Sequence, residues 1–386
     1  MLVTRRRARI GALVVAAATI AAMLTQAFGV RDAALANGQA VFGDYLAFWS
    51  AGRLALEGAA AQVHDAAALA RMHRLGAPGA DVLYLWNHPP TFLLVMSAFA
   101  AAPYLTSAVA FLTVGAAVYL AGARAISADR DALVLACCMP AALLHLGSAQ
   151  TGLLTAGLTA LALAWRDRRP IAAGACIGLL AIKPHLAVLW PLLLLVEGRR
   201  KTFAAAAVCA AAFVAAGAIA FGPEAYLRFF DNLASAQSLI DRQRVPSQTA
   251  ASLYGALIGL GAPMALAAAA HAVSALAGLA VAMRVWRRGD ASAAAAAFAA
   301  ATLLASPYLF FYDFTLLGVA VAALARRAPA PALIFAWLAG GLSLAVGAAI
   351  SLPVAPAAAW AALLASLAAG QPSAPAQLAR ATTSPM

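Results

Sequence analysis

The sequence predicts an all-α protein, a polytopic bundle of transmembrane helices, and three observations lead there. Of its 386 residues, 65% are hydrophobic and only 10% are charged, whereas a soluble globular chain carries about 25% charged residues. The apolar residues gather into runs at 10–30, 89–102, 104–123, 131–147, 151–165, 170–182, 186–196, 202–221, 265–283, 291–305, 308–325, 331–350 and 355–370. Most of the 26 basic residues sit between those runs in short clusters, Arg166, Arg168 and Arg169 for example, as the positive-inside rule predicts for cytoplasmic loops. The net charge of +12 is therefore a topology signal. It argues against a nucleic-acid face, and no nucleic acid is expected as a partner.

The first run follows "TRRRAR". Its charge-then-apolar order is that of a signal peptide, and Ala34-Leu35-Ala36 could mimic a cleavage site. However, the run is as long as a full span, and signal cores are usually about 7–15 residues. It reads as an uncleaved first span with its basic end inside.

Residues 31–88 then form a long extracytoplasmic loop. Within it, "GDYLAFWSAGRLALEG" predicts an amphipathic helix over 45–57, with Ser50, Arg53 and Glu57 on one side and Leu46, Phe48, Trp49, Leu54 and Leu56 covering the rest. Asp44 stands where an N-cap belongs, Gly58 where a C′ glycine belongs, and Glu57 lies four residues from Arg53. Such a helix should lie flat on the bilayer. Judged on this stretch alone, Asp44 is better explained as a cap than as a functional residue. A second interfacial stretch covers 59–76, followed by Tyr84, Trp86 and His88, and by Pro89-Pro90 where the chain turns back into the membrane.

A helical span takes about 20 residues, so several of the later runs are short. The clearest is the pair 170–182 and 186–196, broken at Lys183-Pro184-His185. Non-helical backbone at membrane depth is tolerated when it is buried in protein or lines a wet cavity. Placing every basic cluster inside works if either 89–102 or 104–123 fails to cross, which leaves about twelve crossings. The tips 145–152, 183–185, 222–250 and 306–313 then share the extracytoplasmic side with 31–88. That collection of polar residues is what a membrane enzyme with an extracytoplasmic active site needs. Residues 331–370 are expected to complete the bundle and 371–386 to form a disordered tail. The four cysteines, Cys137, Cys138, Cys176 and Cys209, lie in apolar segments with no metal-site or disulfide spacing.

Five stretches in order carry a family resemblance: Asp44 in "GDYLAFWSAGRLALEG", "HPP", "GSAQTGLLTAGL", "RRPIAAGACIGLLAIKPHLAVLWPLLLL" and "LLASPYLFFYDF". Together, over roughly residues 35–330, they resemble the integral-membrane glycosyltransferase family 87. The resemblance implies a bundle of the GT-C type whose catalytic module covers 1–330. It also implies a multi-pass protein of the cell's inner (plasma) membrane, and a sugar, typically mannose, taken from a polyprenyl-phosphate donor on the extracytoplasmic face. The family's catalytic base is an Asp shortly after the first span, matched here by Asp44. Three positions depart from the pattern. The usual Tyr-Pro-Pro is Asn87-His88-Pro89-Pro90, the common Gly-Gln-Asn is Ala149-Gln150-Thr151, and a late His is replaced by Tyr312 beside Asp313.

A polyprenyl-phosphate sugar carries its own leaving group, so such a site supplies a base for the acceptor hydroxyl and cations for the phosphate. Lys183 is the first phosphate candidate. The chain has one other lysine, Lys201, in a cytoplasmic cluster, and an ionisable residue stranded at membrane depth is a functional candidate by default. A snorkelling lysine at a helix end is the alternative. His185 could add a hydrogen bond or simply cap the turn, and Arg53 is a second cation unless it only pairs with Glu57. His88, His145 and Gln150 could contact substrate, although the Gly-rich tip at 147–152 is equally a plain turn. Tyr312 and Asp313 could position the acceptor, or Asp313 could pair with Lys183. Arg228, Arg242 and Arg244 in loop 222–250 could bind an anionic acceptor, but they are better read as solvated loop charges. The phosphate of such a donor would be met by Lys and Arg, so no metal and no other cofactor are expected. The expected partners are the lipid donor, a lipid or glycan acceptor and the bilayer. A transporter or flippase of lipid-linked sugars is the rival, but it would show repeat symmetry between two halves, and the unique early loop has no counterpart late in the chain.

Overall fold

A computed structural model describes residues 5–241, 251–327, 331–340 and 354–369. Among the described residues the chain is all-helical, without strands. Among the described residues four helices are long and apolar enough to cross a membrane: α1 (Arg5–Ala27), α5 (Tyr104–Ile126), α12 (Arg200–Phe221) and α15 (Met264–Trp286). At 1.5 Å per residue each reaches roughly 33–35 Å. A fifth span exists if α6 (Arg130–Cys137) is joined to α7 (Pro140–Leu143) and α8 (His145–Ser148) across a bend of 54°.

The other apolar runs form shorter helices. Between α1 and α5 lie α2 (Tyr45–Leu56), α3 (Ala66–Gly76) and α4 (Pro90–Phe99). Pro90 occupies the first turn of α4, where its missing N–H costs nothing. With ten residues, α4 reaches only about 15 Å, so of the two runs at 89–102 and 104–123 it is α5 that has the length to cross. Next come α9 (Gly152–Trp165), α10 (Pro170–Leu179) and α11 (Trp190–Val196). The break between α10 and α11 consists of two 3₁₀ turns, Leu180–Ile182 and Pro184–Leu186, with Lys183 between them. After α12 follow α13 (Glu224–Asp241), α14 (Leu253–Gly259), α16 (Ala291–Ala305), α17 (Leu317–Leu324), α18 (Pro331–Gly340) and α19 (Val354–Ala369). Residues 242–250, the expected tail 371–386 and the end of the run 331–350 lie outside the described residues.

One core gathers α9, α16, α17 and α19, with α16 enclosed so completely that Ala293 to Ala301 are all buried. Alanine lets these helices approach closely. Glycine does the same between α5 and α9, where a Cβ on Gly157 would come within 2.6 Å of the Tyr119 backbone nitrogen. A second core lies beneath the early loop and is aromatic: Phe48 stands edge-on to Trp86 and Phe92, with ring centroids at 6.0 and 5.0 Å.

Two local expectations change. First, α2 does not keep Ser50, Arg53 and Glu57 as one polar face. It is packed against both α3 and α4. Ser50 is fully buried, with Oγ 2.9 Å from His73 Nδ1. The Arg53 guanidinium lies over the Trp49 ring at 5.9 Å, and Glu57 pairs with Arg71 at 3.3 Å rather than with Arg53. Helical spacing puts residues on one side, but it does not say what will cover that side. Second, 222–250 is not simply a loop. It opens with the 18-residue α13, whose apolar Leu227, Phe230 and Leu233 alternate with Arg228, Asp231 and Asn232 at helical spacing.

Candidate active site

A cavity of about 740 Å³ opens where the early loop, the tip before α9, the α10–α11 break, α13 and the segment before α17 converge. The charged side chains that line it, Asp44, Lys183 and Asp313, all lie outside the α-helices.

Asp44 is aimed by a left-handed turn at Phe42 (φ 64°) and Gly43 (φ 27°) just before α2. Its own backbone is already helical, at φ −55° and ψ −27°, and its side chain makes no capping hydrogen bond. The cap expected from the sequence is therefore absent. Oδ2 instead accepts from Gln150 Nε2 at 2.9 Å. Burial in the cavity wall pushes the Asp44 carboxyl above the usual carboxylate range, against the pull of the Gln150 amide and the Lys183 charge.

Gln150 follows α8, which ends at Ala149 in a left-handed conformation with φ 44°. A glycine would adopt that backbone without strain, and it is the residue of the common Gly-Gln-Asn at this place. Lys183 sits in non-helical backbone, at φ −145° and ψ 71°, between its two 3₁₀ turns. Its Nζ forms an ion pair with Asp313 and lies 4.5 Å from the Tyr312 ring centroid. The side chains of Lys183 and Asp313 are only 5% and 0% exposed, which makes this a buried charge pair. Asp313 belongs to the first turn of the 3₁₀ segment Phe311–Leu316, and its Oδ2 also accepts from Phe310 N–H at 3.0 Å. Of the two roles the sequence left open for Asp313, the structure realises the pairing with Lys183.

His88 and His185 line the same cavity. His88 is wedged among Phe92, Phe48 and Trp86, at ring distances of 4.8, 5.0 and 5.4 Å. Two candidates lie elsewhere. Arg53 does not line the cavity. Neither does His145, which is fully buried with Nε2 2.9 Å from Thr315 Oγ1 and its ring 6.3 Å from that of Tyr312. Arg228 borders a small separate void beside His64 and Trp86, while Arg242 and Arg244 fall outside the described residues.

The apolar wall of the cavity was not expected from the sequence. Phe229, Phe230 and Leu233 of α13 line it together with Leu83 and Leu85, and Phe230 remains 60% exposed. Asn232 holds α13 in place by donating to Asn87 Oδ1 at 3.0 Å and to the Trp86 carbonyl at 3.3 Å. The helical period of α13 was the available signal, although its mean hydropathy is too low to stand out. Among the described residues no three His, Cys, Asp or Glu side chains converge as metal ligands.

Fold and site together describe an all-helical membrane protein whose cavity joins a buried lysine–carboxylate pair and a half-buried carboxylate to an exposed apolar wall. Residues 86–307 match glycosyltransferase family 87, and with more than half of its length matched the chain belongs to that family. Membership makes the protein a glycosyltransferase, which works on a sugar donor and an acceptor. The matched region contains His88, Gln150, Lys183 and His185, and it leaves Asp44, Tyr312 and Asp313 outside. No curated protein and no solved structure matches the chain.

Proposed function

We propose that the protein moves a hexosyl residue, mannose first among the candidates, from a polyprenyl phosphate to a lipid or glycan acceptor at the extracytoplasmic face of the inner membrane. The observation that carries this activity is a carboxylate released from capping, Asp44, in one cavity with Lys183. Asp44 takes the proton from the acceptor hydroxyl. The acceptor oxygen bonds to the anomeric carbon as the bond from that carbon to the phosphate oxygen breaks, and the bonding pair leaves on the polyprenyl phosphate. Lys183 meets the growing negative charge of that phosphate, with Asp313 and the Tyr312 ring orienting its Nζ. The raised carboxyl of Asp44 suits a general base, because a base works best with a pKa close to the operating pH.

A β-linked donor and a single displacement give an α-linked product. The good leaving group needs no partner acid, which fits a cavity in which, among the described residues, Asp44 is the lining carboxylate without an ion-pair partner. Leu83, Leu85, Phe230 and Leu233 are available for the isoprenoid chain of the donor or the tail of a lipid acceptor. Family membership supports transfer over transport, and no observation favours the flippase alternative. His88, His185 and Tyr312 remain proposed substrate contacts. Arg53 and His145 do not line the cavity and are not proposed as substrate contacts.

The test is sugar transfer in membranes containing the protein, with labelled polyprenyl-phosphate-mannose as donor. The wild type should pass label to a new lipid or glycan, and Asp44→Asn should be slower by about 10²–10⁴-fold, the usual worth of a general base. Equal transfer by both would remove Asp44 from the chemistry.

A further inference from the structure

The sequence offered Gln150 as a substrate contact, yet its amide is already engaged on both sides by the protein. We propose that Gln150 is a positioning residue for Asp44, fixing Oδ2 so that Oδ1 is left to take the acceptor proton. The proposal rests on the assignment of Asp44 as base.

Three features of the chain support it. The amide orientation is determined, because Thr151 N–H donates to Oε1 at 3.2 Å, which turns Nε2 toward Asp44 Oδ2 at 2.9 Å. The tip carrying the amide is rigid: Ala149 is fully buried and left-handed, and its N–H donates to the His145 carbonyl at 2.8 Å. Space around the tip is tight as well, since a Cβ on Gly152 would fall 2.6 Å from the His145 ring. A residue meant to follow a variable substrate has no use for such a mount. A residue meant to hold a carboxylate in one rotamer needs it, because misplacing a reacting group by about 1 Å can cost on the order of 10²-fold in rate.

Other charged or titratable groups line the cavity with Asp44 or lie close enough to couple with it. They are Lys183 and His185 of the α10–α11 break, Tyr312 and Asp313 before α17, and Tyr84 and His88 of the early loop, with Tyr104 of α5. None of these is altered by changing Gln150, so the effect of its N–H can be read separately. A hydrogen bond donated to a carboxylate favours the charged form.

The experiment measures kcat and KM for the full-length protein in lipid nanodiscs across pH, using labelled polyprenyl-phosphate-mannose and an acceptor-containing lipid extract. It compares wild type, Gln150→Met, Gln150→Asn and Asp44→Asn. Gln150→Met keeps the volume without the amide. Gln150→Asn keeps a polar side chain too short to reach Asp44, and it covers the case in which Gln150→Met fails to fold. Both should lower kcat by about 10–100-fold, with both KM values within twofold and the acid limb of kcat/KM moved to higher pH. A raised KM with kcat and the limb unchanged would make Gln150 a substrate contact and overturn the proposal. A loss of kcat with an unmoved limb, or wild-type behaviour, would overturn it too. An active Asp44→Asn would instead show that the base assignment itself had failed.

Discussion

Replacing Lys183 by Met tests the charge pair at the centre of the cavity. The substitution keeps a side chain of similar length and leaves the Asp313 carboxylate without its cation. With the two side chains 5% and 0% exposed, the figure for a surface pair, roughly 0–1 kcal/mol, does not apply. Removing one partner of a buried pair costs about 3–5 kcal/mol, because the remaining charge is uncompensated. Asp313 retains the Phe310 N–H at 3.0 Å, so the lower end, about 3 kcal/mol, is expected. Reversible denaturation of the purified protein in mixed micelles measures it. The double variant Lys183→Met/Asp313→Leu removes both charges and should recover most of the lost stability. It should not recover activity, since the cation that meets the departing phosphate is still missing, at a cost of about 10²–10³-fold. Unchanged stability in Lys183→Met would refute the buried pair. A double variant that transfers sugar at the wild-type rate would refute the role of Lys183 toward phosphate.

Three other outcomes follow from the geometry. Arg53→Ala should leave the donor KM within about twofold, because the guanidinium lies over Trp49 and outside the cavity; a tenfold rise would return Arg53 to the phosphate site. Gly157→Leu should force α5 and α9 apart and destabilise by more than about 2 kcal/mol, measured in the same denaturation assay, whereas Gly198→Ala, with open space around its Cβ and only a positive φ of 69° to pay for, should cost about 1 kcal/mol. Acid should loosen the early loop through His73, whose pKa is lowered to about 4 by burial against the opposing pull of its hydrogen bond to the Tyr84 backbone. The unfolded chain takes up a proton near pH 6.5 while the folded one resists until about 4, so stability falls as pH drops through that window, by at most about 3–4 kcal/mol. His73→Gln should flatten that slope in hydrogen exchange of residues 66–86, and an unchanged slope would place its origin elsewhere.

The helices were legible in the sequence because membrane burial is recorded locally. A run of apolar residues between basic clusters is sufficient to predict a helix, and α1, α5, α12 and α15 appear close to where the runs lie. Lys183 was legible for the complementary reason: a charge among apolar half-helices is costly unless it has a use, so its isolation could be seen without a structure. The amphipathic α13 was missed because it has the period of a helix without the hydropathy of a span.

Asp44 marks the limit of local reading. The residues around it describe a good N-cap, and nothing within a turn of it says otherwise. The group that claims its carboxylate is Gln150, 106 residues away, just as Asp313 lies 130 residues from Lys183. Hydropathy and capping preferences depend on neighbours in the chain, and they determined that helices would form and that charges would be scarce among them. The rotamer of a carboxylate and the partner of a buried lysine depend on neighbours in space. Those neighbours exist only once α2, the tip before α9, the α10–α11 break and the segment before α17 have packed around one cavity.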